Sequence, residues 1–302
     1  QDTQRFTPVV ILAIQNGSVK GVILAVIIRE YSGFLGFFSS RTVVYGGPLT
    51  DPENRETIAG KLIEELISKV EKESIFIQFR NFHNSEKYQG VFEKFGFNFL
   101  DRLNYLVDTT SEGLVRKRMS DSKRRQVKKG MKLGAEIIAP ENEQQVKAFY
   151  EILHDLYKNK VKKPLPHYSF FSSFYLQSEK NKLGVIRLVK YEGRIIGGIL
   201  SPVFNDKVIY EWYVCGLDQE YRHVYPSVLA TWAAIDYALE NNIDMFDFMG
   251  VGGPDRDYGV RDFKSKFGGE LVNYGRFGRI NNKFLYAITE IGFNVLALLR
   301  RI

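Results

Sequence analysis

Two short stretches, GSVKGVIL at residues 17–24 and GRIIGGIL at residues 193–200, decide how this chain is expected to fold. They share four residues over eight positions, and two hairpins of similar composition can reach that number by chance. The identical pairs are Gly17 and Gly193, Gly21 and Gly197, Ile23 and Ile199, and Leu24 and Leu200. In both halves, however, strand-like runs around the stretch precede a helix and a further strand. Because the order of elements repeats as well, the sequence predicts a duplicated α/β unit.

The spacing of apolar residues predicts the elements of each half. In the first half we expect strands at 9–14, 21–30, 41–45, 74–80 and 97–108, helices at 53–72 and 85–95, and one basic helix from residue 112 to near Gly134. In the second half we expect helices at 142–160 and 225–242, three strands within 182–215, a strand at 243–250, and turns at Glu192–Gly193 and Asn205–Asp206. The predicted fold class is α/β (α+β), with two mixed-sheet subdomains at residues 1–134 and 135–302.

The composition is that of a globular protein, since 44% of the 302 residues are hydrophobic and 25% are charged. Cys215 is the only cysteine, which excludes an internal disulfide, and with four histidines a Cys/His zinc site is not expected. No basic and apolar leader follows Gln1, so we expect a cytoplasmic location. The chain begins without Met, and we expect the first subdomain to be incomplete at its N-terminus.

The C-terminal residues 283–302, KFLYAITEIGFNVLALLRRI, carry apolar residues at helical spacing with two arginines behind them. A helix docked on the core fits this pattern. A helix that lies in the interface of a membrane fits it too, which would make the protein peripheral at the inner face of the membrane.

The positive charge of the chain is concentrated in one segment. The formal net charge is +7, and the segment Arg116–Lys132, with nine basic residues and one acid, contributes +8. Such a helix can neutralise the phosphates of a nucleic acid or another anionic partner, and a solvated helix face is the alternative. The candidate residues are Lys123, Arg124, Arg125, Lys128 and Lys129.

Residues 246–269, FDFMGVGGPDRDYGVRDFKSKFGG, place a glycine-rich loop between a strand and a lysine. Gly250 and Gly252 permit positive φ or close approach of a ligand, but the loop has neither P-loop nor dinucleotide-binding spacing. A phosphate-binding loop and a tight surface turn both fit it. If residues 260–267 form a helical turn, Lys264 lies beside the apolar face that contains Phe263. A lysine in that place can stabilise an oxyanion, and a solvated lysine is the alternative.

Further candidates lie in and after the segment YEWYVCGLDQEYRHVYPS, residues 210–227. Tyr221 and Arg222 fall in the connection before a helix, where polar groups can reach a ligand. Asp247 and Asp257 are candidates for a general base, although aspartates at strand ends and in turns are often structural. No Ser-His-Asp order and no metal-ligand spacing is present, so no metal is expected.

Four segments together resemble the FemABX family, the non-ribosomal peptidyl transferases built from two acetyltransferase-like (GNAT-like) units. They are VVYGGPLTD (43–51), IFIQFRNF (75–82), VDTTSEGLVRKRMSDSKRRQVKKGMKLGAEI (107–137) and FDFMGVGGPDRDYGVRDFKSKFGGELVNYGRF (246–277). The last resembles the closing motif of the family, in which a strand precedes "FK" and "FGG", and it is the most specific. The second unit has no long coiled-coil arm, so the chain is more similar to the armless, FemX-like members.

The resemblance implies two tandem GNAT-like subdomains and transfer of an amino acid from an aminoacyl-tRNA to the stem peptide of a nucleotide- or lipid-linked peptidoglycan precursor. It implies that Lys264 is the catalytic residue that stabilises the oxyanion. The substrate-binding residues that we expect are Tyr221, Arg222, Phe263, Tyr213, Gly250 and Gly252. The basic segment would bind tRNA or a diphosphate, and neither a metal nor a cofactor is implied.

Two other functions stay open at this point. One is an acyl-CoA-dependent N-acyltransferase acting on a cell-surface sugar or peptide. GNAT domains usually bind the pyrophosphate of CoA on a glycine-containing loop before a helix, and QEYRHVYPSVLA, residues 219–230, contains no glycine. The other is a non-catalytic binding module, which would not need Lys264.

Overall fold

The computed structural model describes residues 5–30, 33, 36, 38–162, 164–255 and 259–289. The strands are β1 (Phe6–Gln15), β2 (Ser18–Ile28), β3 (Arg41–Tyr45), β4 (Leu49–Thr50), β5 (Phe76–Arg80), β6 (Asn98–Leu100), β7 (Leu103–Asp108), β8 (Glu136–Ile138), β9 (Gly184–Tyr191), β10 (Arg194–Phe204), β11 (Val208–Tyr210), β12 (Tyr213–Gly216), β13 (Met245–Asp247), β14 (Glu270–Asn273) and β15 (Arg276–Ile280). The helices are α1 (Arg55–Val70), α2 (Gln89–Lys94), α3 (Glu112–Arg118), α4 (Asp121–Lys132), α5 (Glu143–Leu156), α6 (Tyr168–Asn181), α7 (Pro226–Glu240) and α8 (Gly259–Ser265).

The described residues form two compact units, each with its own sheet. Unit 1 contains residues 5–102 and 273–289, and unit 2 contains residues 103–272. This division differs from the predicted one at 134/135 because of two strand pairings. β7 pairs with β13 and joins the second sheet, whereas β15 pairs with β5 and β6 in the first.

In unit 1 the strands follow the order β1-β2-β3-β5-β15-β6, and β4 pairs with β2. Helix α1 connects this hairpin region to β5, which runs parallel to β3. The apolar residues of α1 recur at helical spacing and lie on one buried face: Ala59, Leu62, Ile63, Leu66 and Val70. Their burial against β1 and β2 forms the core of the unit.

In unit 2 the order is β14-β7-β13-β11-β10-β9-β8, and β12 pairs with β10. Helix α7 leads from β12 to β13, which runs parallel to β11. Most of the side chains of α7 are buried, which is why its sequence is apolar on nearly every side. Helices α5 and α6 contribute to a separate cluster that also contains Leu188 and Leu200 of β9 and β10.

The predicted duplication agrees with the two sheets. Each stretch quoted above starts at a two-residue turn with positive φ, 51° and 75° at Asn16–Gly17 and 48° and 76° at Glu192–Gly193. In each unit the hairpin is followed by two strands, a helix and a further strand, which runs parallel to the first of those two strands. The predicted α/β fold of two mixed-sheet units is therefore confirmed.

Two predicted elements are divided in the structure. The strand expected at 97–108 is two strands, β6 and β7, which belong to different sheets. The single basic helix expected from residue 112 is α3 and α4, and the chain is extended at Met119 and Ser120 between them. The Ser120 hydroxyl accepts a hydrogen bond from the Lys123 amide and caps the second helix.

The last strand expected within 182–215 is also divided. The Glu211 amide donates to the Asp247 carbonyl at 2.9 Å, whereas the Trp212 amide donates to the Leu200 carbonyl at 3.2 Å. The chain thus leaves β13 between these two residues while β10 stays its partner on the other side, and β11 ends where β12 is about to begin. The break aims the Glu211 side chain into unit 2, where it is 5% exposed.

Only part of the predicted C-terminal helix is described. Residues 283–289 are helical, and Phe284 is 73% exposed. Residues 290–302 lie outside the described residues, so contact of this segment with a membrane stays a prediction. Within the described ranges, no helix combines the length and apolar character needed to cross a bilayer.

Candidate active site

Lys264 lies on α8 in unit 2, and its side chain is only 11% exposed. Its ammonium donates to the Phe248 carbonyl at 2.7 Å and to the Gly250 carbonyl at 3.2 Å. It also pairs with Glu211 Oε1 at 2.7 Å. An ammonium has three N–H donors, and these three acceptors occupy all of them. Lys264 is therefore not a solvated lysine.

The loop after β13 presents these two carbonyl groups to Lys264. Met249 and Gly250 have φ of 59° and 122°, so the chain reverses at once after Phe248. Asn104 of β7 holds the loop, since its Nδ2 donates to Asp247 Oδ1 at 2.7 Å and its Oδ1 accepts from the Gly250 amide at 2.8 Å. The glycine-rich segment thus turns the end of the strand toward Lys264.

Gly252, another predicted binding residue, has a structural contact in this loop. Its carbonyl accepts a hydrogen bond from the Leu103 amide at 2.9 Å, and the Val251 amide donates to the Leu103 carbonyl at 2.7 Å. These two bonds tie the loop to the start of β7.

Two buried carboxyl groups accompany the ammonium. Burial raises the pKa of Glu211, and Lys264 and the Thr231 hydroxyl oppose the increase. Burial also raises the pKa of Asp247, against hydrogen bonds from Asn104 and the Met249 amide. Burial and the Asp247 charge raise the pKa of Tyr210 to about 12. The interior here favours neutral carboxyl groups, and the ammonium of Lys264 opposes that preference.

Glu211 is not fully satisfied in its hydrogen bonds. Among the described residues, no well-aligned hydrogen bond reaches its buried Oε2 atom, although the Thr231 hydroxyl on α7, which has no such bond either, lies near enough to affect the pKa of Glu211. Unpaired buried oxygens are uncommon in folded proteins and often mark a functional site. Sequence reasoning did not select Glu211, although a charged residue within the apolar run YEWYVC is a signal that could have found it.

Phe263 lies next to Lys264 in the chain and contacts a second lysine. The Lys123 ammonium is 3.9 Å from the centroid of the Phe263 ring and 5.6 Å from that of Phe267. Lys123 is only 6% exposed, and burial lowers its pKa to about 8. Lys123 thus lies beneath the aromatic face of α8, apart from the exposed cations of α4.

The other residues predicted to bind an anion differ in their exposure and in their contacts. Arg124 contacts the Asp121 carboxylate and the carbonyl groups of Arg116 and Met119. By contrast, Arg125, Lys128 and Lys129 are exposed on α4, and Lys129 lies 5.6 Å from the ring centroid of Tyr225. The exposed part of the predicted basic strip consists of these three and neighbouring lysines. Its role in binding stays a prediction.

The remaining predicted binding residues make contacts away from Lys264. The Tyr221 hydroxyl accepts a hydrogen bond from Arg194 at 3.2 Å, and Arg222 beside it is exposed. Tyr213 packs against Phe170 and Phe171 of α6, with ring centroids 5.9 and 5.1 Å away. Among the predicted residues, the structure brings the Gly250 carbonyl to Lys264 and places Asp247 close enough for the charge of Lys264 to affect its pKa, and Phe263 is the neighbour of Lys264 in the chain.

A cavity of about 510 Å³ opens elsewhere in unit 2. None of the predicted site residues lines it; its polar lining includes Tyr175, Lys182, Arg187, Asp206, Tyr237 and Asn241. Over the described part of the chain, no group of three or more His, Cys, Asp or Glu could hold a metal ion. Asp257, one of the two candidate bases, lies outside the described residues.

Part of the sequence matches a known protein family. A sequence model of the FemAB family matches residues 176–292, which include the loop and Lys264. Aminoacyltransferase FemA of Staphylococcus aureus (strain MW2) is 36% identical over 81 residues, which are 25% of this chain and 19% of FemA. The match therefore spans about a fifth of the length of this curated relative.

Solved structures resemble almost the whole chain. A crystal structure of FemX has a TM-score of 0.69 and 14% identity, and covers 94% of this chain and 90% of FemX. A tandem GNAT protein from the clavulanic acid biosynthesis pathway has a TM-score of 0.60 and 9% identity, and covers 93% of this chain and 85% of that protein. At such identities the likeness shows the fold alone.

Proposed function

We propose that this chain, whose residues 176–292 match the FemAB family model, is an aminoacyltransferase of peptidoglycan bridge formation. The donor is an aminoacyl-tRNA, and the acceptor is an amine on the stem peptide of a peptidoglycan precursor. The observation that carries this proposal is the position of Lys264, a nearly buried ammonium inside the matched region at the mouth of a glycine-containing loop.

The reaction needs a positive charge where the ester carbonyl is attacked. The amine forms a bond to the carbonyl carbon, and the carbonyl oxygen becomes negative until the bond to the ribose oxygen breaks. The proton that the amine loses ends on the departing ribose oxygen, so atoms and charge balance. A fixed ammonium that donates to the oxyanion lowers this barrier.

Lys264 can serve the oxyanion only by exchanging one of its present acceptors, because all three donors are occupied. The bond to the Gly250 carbonyl is the longest at 3.2 Å and is the one expected to exchange. An oxyanion is a stronger acceptor than a neutral carbonyl group, so the exchange favours the transition state.

The proposed tRNA contact rests on the exposed cations of α4. Arg125, Lys128 and Lys129 are exposed to solvent and have no acidic residue between them in the sequence. Lys123, which contacts Phe263, is not part of this proposed surface.

The acyl-CoA alternative has less support, because the start of α7 is already occupied by a carboxylate. Asp218 accepts from the Ser227 amide at 3.0 Å and from the Ser227 hydroxyl at 2.5 Å. Helix N-termini bind pyrophosphate through free amides, and a negative side chain at the same amides opposes it.

A transfer assay tests the proposal. Purified protein is mixed with total tRNA charged with labelled amino acids and a nucleotide-linked muramyl pentapeptide, with acetyl-CoA as the donor in a parallel reaction. We expect label on the pentapeptide, and a loss of at least about 10²-fold in kcat for Lys264→Ala, the size seen when an oxyanion donor is removed. Acylation from acetyl-CoA alone would contradict the proposal. Transfer that Lys264→Ala leaves unchanged would contradict the role of the lysine.

A further inference from the structure

Glu211 has no assigned role in the reaction, yet it is the acidic residue that pairs with Lys264 among the described residues. It lies at the break between β11 and β12, where the chain leaves β13, and its side chain is buried in unit 2. Its Oε1 atom is 2.7 Å from the ammonium, and no described residue makes a well-aligned hydrogen bond to its Oε2 atom. A residue placed only to fill the core would not need a charge in this position.

The charges around the ammonium depend on one another. Asp247 Oδ1 accepts two hydrogen bonds that do not involve Lys264, from Asn104 at 2.7 Å and from the Met249 amide at 2.6 Å. Among the described residues, Glu211 has Lys264 as its hydrogen-bond donor, and the Thr231 hydroxyl is the other donor group near it. Two carboxyl groups thus face one ammonium, and of these Glu211 is the one in contact with it.

The two loop carbonyl groups cannot replace Glu211. They bind the ammonium by their dipoles, and a neutral lysine could still donate to them. An opposite charge in direct contact offsets more of the cost of keeping an ammonium in the interior than neutral carbonyl groups do. The contact at 2.7 Å between Glu211 and Lys264 supplies that charge.

We propose that Glu211 is a positioning residue, which keeps Lys264 charged and directs its ammonium to the loop after β13. When the oxyanion replaces the Gly250 carbonyl as an acceptor, Glu211 keeps its hydrogen bond to Lys264. The ammonium therefore stays in its position during the reaction. The catalytic consequence rests on the proposed function, whereas the pairing of the two side chains does not.

Chemical labelling of Lys264 tests the pairing without any enzymatic reaction. Only the neutral amine of a lysine reacts with acetic anhydride, so labelling measured by mass spectrometry reports the fraction that has lost its proton. Glu211→Gln removes the charge and keeps the shape. We expect about tenfold more labelling of Lys264 at pH 8 than in the wild type, because a tenfold larger fraction of the amine is then neutral. Labelling equal to that of the wild type would overturn the proposal.

Glu211→Asp separates charge from position. The shorter side chain keeps the negative charge but cannot reach the ammonium at its present place. We expect labelling between that of the wild type and that of Glu211→Gln. If Glu211→Gln does not fold, as a melting curve would show, this variant decides the matter, and labelling at the wild-type level contradicts the proposal.

Lys266, on the segment just after α8, offers a matched control. It pairs with the exposed Asp262 at 2.6 Å, with side chains 43% and 70% exposed. Because solvent screens that pair, Asp262→Asn is expected to leave the labelling of Lys266 within about twofold of the wild type. An increase in labelling of Lys266 as large as that of Lys264 would mean that loss of any carboxylate partner increases the labelling of a lysine. The result for Lys264 would then not support a specific role of Glu211.

Kinetics then separate this inference from the proposed function. If the transfer assay is active, we expect Glu211→Gln and Glu211→Asp to lower kcat by at least about tenfold with KM nearly unchanged, since a transition-state contact is lost. If the wild type transfers no amino acid, the proposed function fails, and the labelling result still decides the pairing. A normal kcat in both variants would contradict the positioning role.

Discussion

Lys264 and Lys123 are both buried lysines of unit 2, but they are stabilised in different ways. The ammonium of Lys264 has three acceptors, one of them a carboxylate. The ammonium of Lys123 lies over the rings of Phe263 and Phe267, and its pKa is lowered to about 8, chiefly by burial. The contacts of Lys264 require its positive charge, whereas the aromatic rings around Lys123 only accommodate a positive charge.

Lys123→Met is therefore expected to be at least as stable as the wild type at pH 7. The native state binds fewer protons at Lys123 than the unfolded state between pH 8 and the ordinary lysine value of 10.5. The free energy of unfolding of the wild type accordingly rises with pH across this window, and the advantage of the variant shrinks. Urea unfolding at pH 7 and pH 10 measures both effects.

Lys264→Met serves as the comparison for Lys123→Met. Removing one partner of a buried pair leaves Glu211 without its donor, at a cost of about 3–5 kcal/mol. A Lys123→Met protein that lost as much stability would show that its charge, too, is required by the fold.

At the scale of elements, α4 has two different faces. One face packs against α7, and a Cβ atom added to Gly130 would lie 2.5 Å from the Val224 carbonyl oxygen. The other carries the exposed residues Arg125, Lys128 and Lys129. The basic residues seen in the sequence therefore lie on a helix that packs closely against the rest of unit 2.

Gly130→Ala is expected to destabilise the protein, although alanine normally favours a helix over glycine by about 1 kcal/mol. The new methyl group would overlap a backbone atom that cannot move without displacing the start of α7. Thermal unfolding measures the effect. Gly90→Ala on α2, where the added Cβ meets nothing within 4 Å, is expected to be neutral or stabilising, and equal effects at both sites would contradict the close packing.

Reversing the charge of Arg125, Lys128 and Lys129 to Glu is expected to weaken binding of charged tRNA and to reduce its dependence on salt. Each lost phosphate contact lowers the slope of log K against log salt by roughly 0.7–0.9. Fluorescence anisotropy at several salt concentrations provides the slope. Lys61, Lys72 and Lys94, exposed in unit 1, form a control set with the same change in charge. Equal losses in both sets would indicate a net-charge effect without a defined surface.

At the scale of the whole molecule, the described residues form two sheets, and each sheet contains strands from distant segments of the chain. β15, at residues 276–280, lies between β5 and β6 and completes unit 1. Phe277 on this strand is 1% exposed and stacks on Phe92 with ring centroids 4.0 Å apart. The first unit is thus completed by residues that follow the whole of the second unit in sequence.

Phe277→Ala is expected to destabilise unit 1 by about 3–5 kcal/mol, because a large ring is removed from a packed core. Hydrogen exchange read by mass spectrometry should show the faster exchange in β5, β6 and α2. Phe284→Ala, at a position that is 73% exposed, should leave exchange unchanged. Faster exchange confined to unit 2 would contradict the assignment of β15 to the first sheet.

Much of the fold could be predicted because its signals are local. The turns at Asn16–Gly17 and Glu192–Gly193, the buried face of α1 and the apolar α7 follow from residues close together in sequence. The candidate site was harder to predict. Lys264 stood out through a motif, whereas Asn104 and Thr231 are ordinary polar residues in the sequence. Only the fold brings Asn104 to the loop and Thr231 close to Glu211.

By itself, the sequence determined the repeated order of strands and helices, the concentration of positive charge near α4 and the lysine that follows the glycine-rich loop. Only the tertiary structure decided that residues 97–108 divide between two sheets and that β15 returns to the first. It also decided that Glu211 pairs with Lys264 and that Lys123 contacts Phe263. The physical reason is range: turns and helix faces arise from neighbours in the chain, but strand partners and ion pairs depend on contacts between residues far apart. The sequence around Glu211 would be the same whether its carboxylate contacted water or an ammonium, so the sequence alone could not identify the pair.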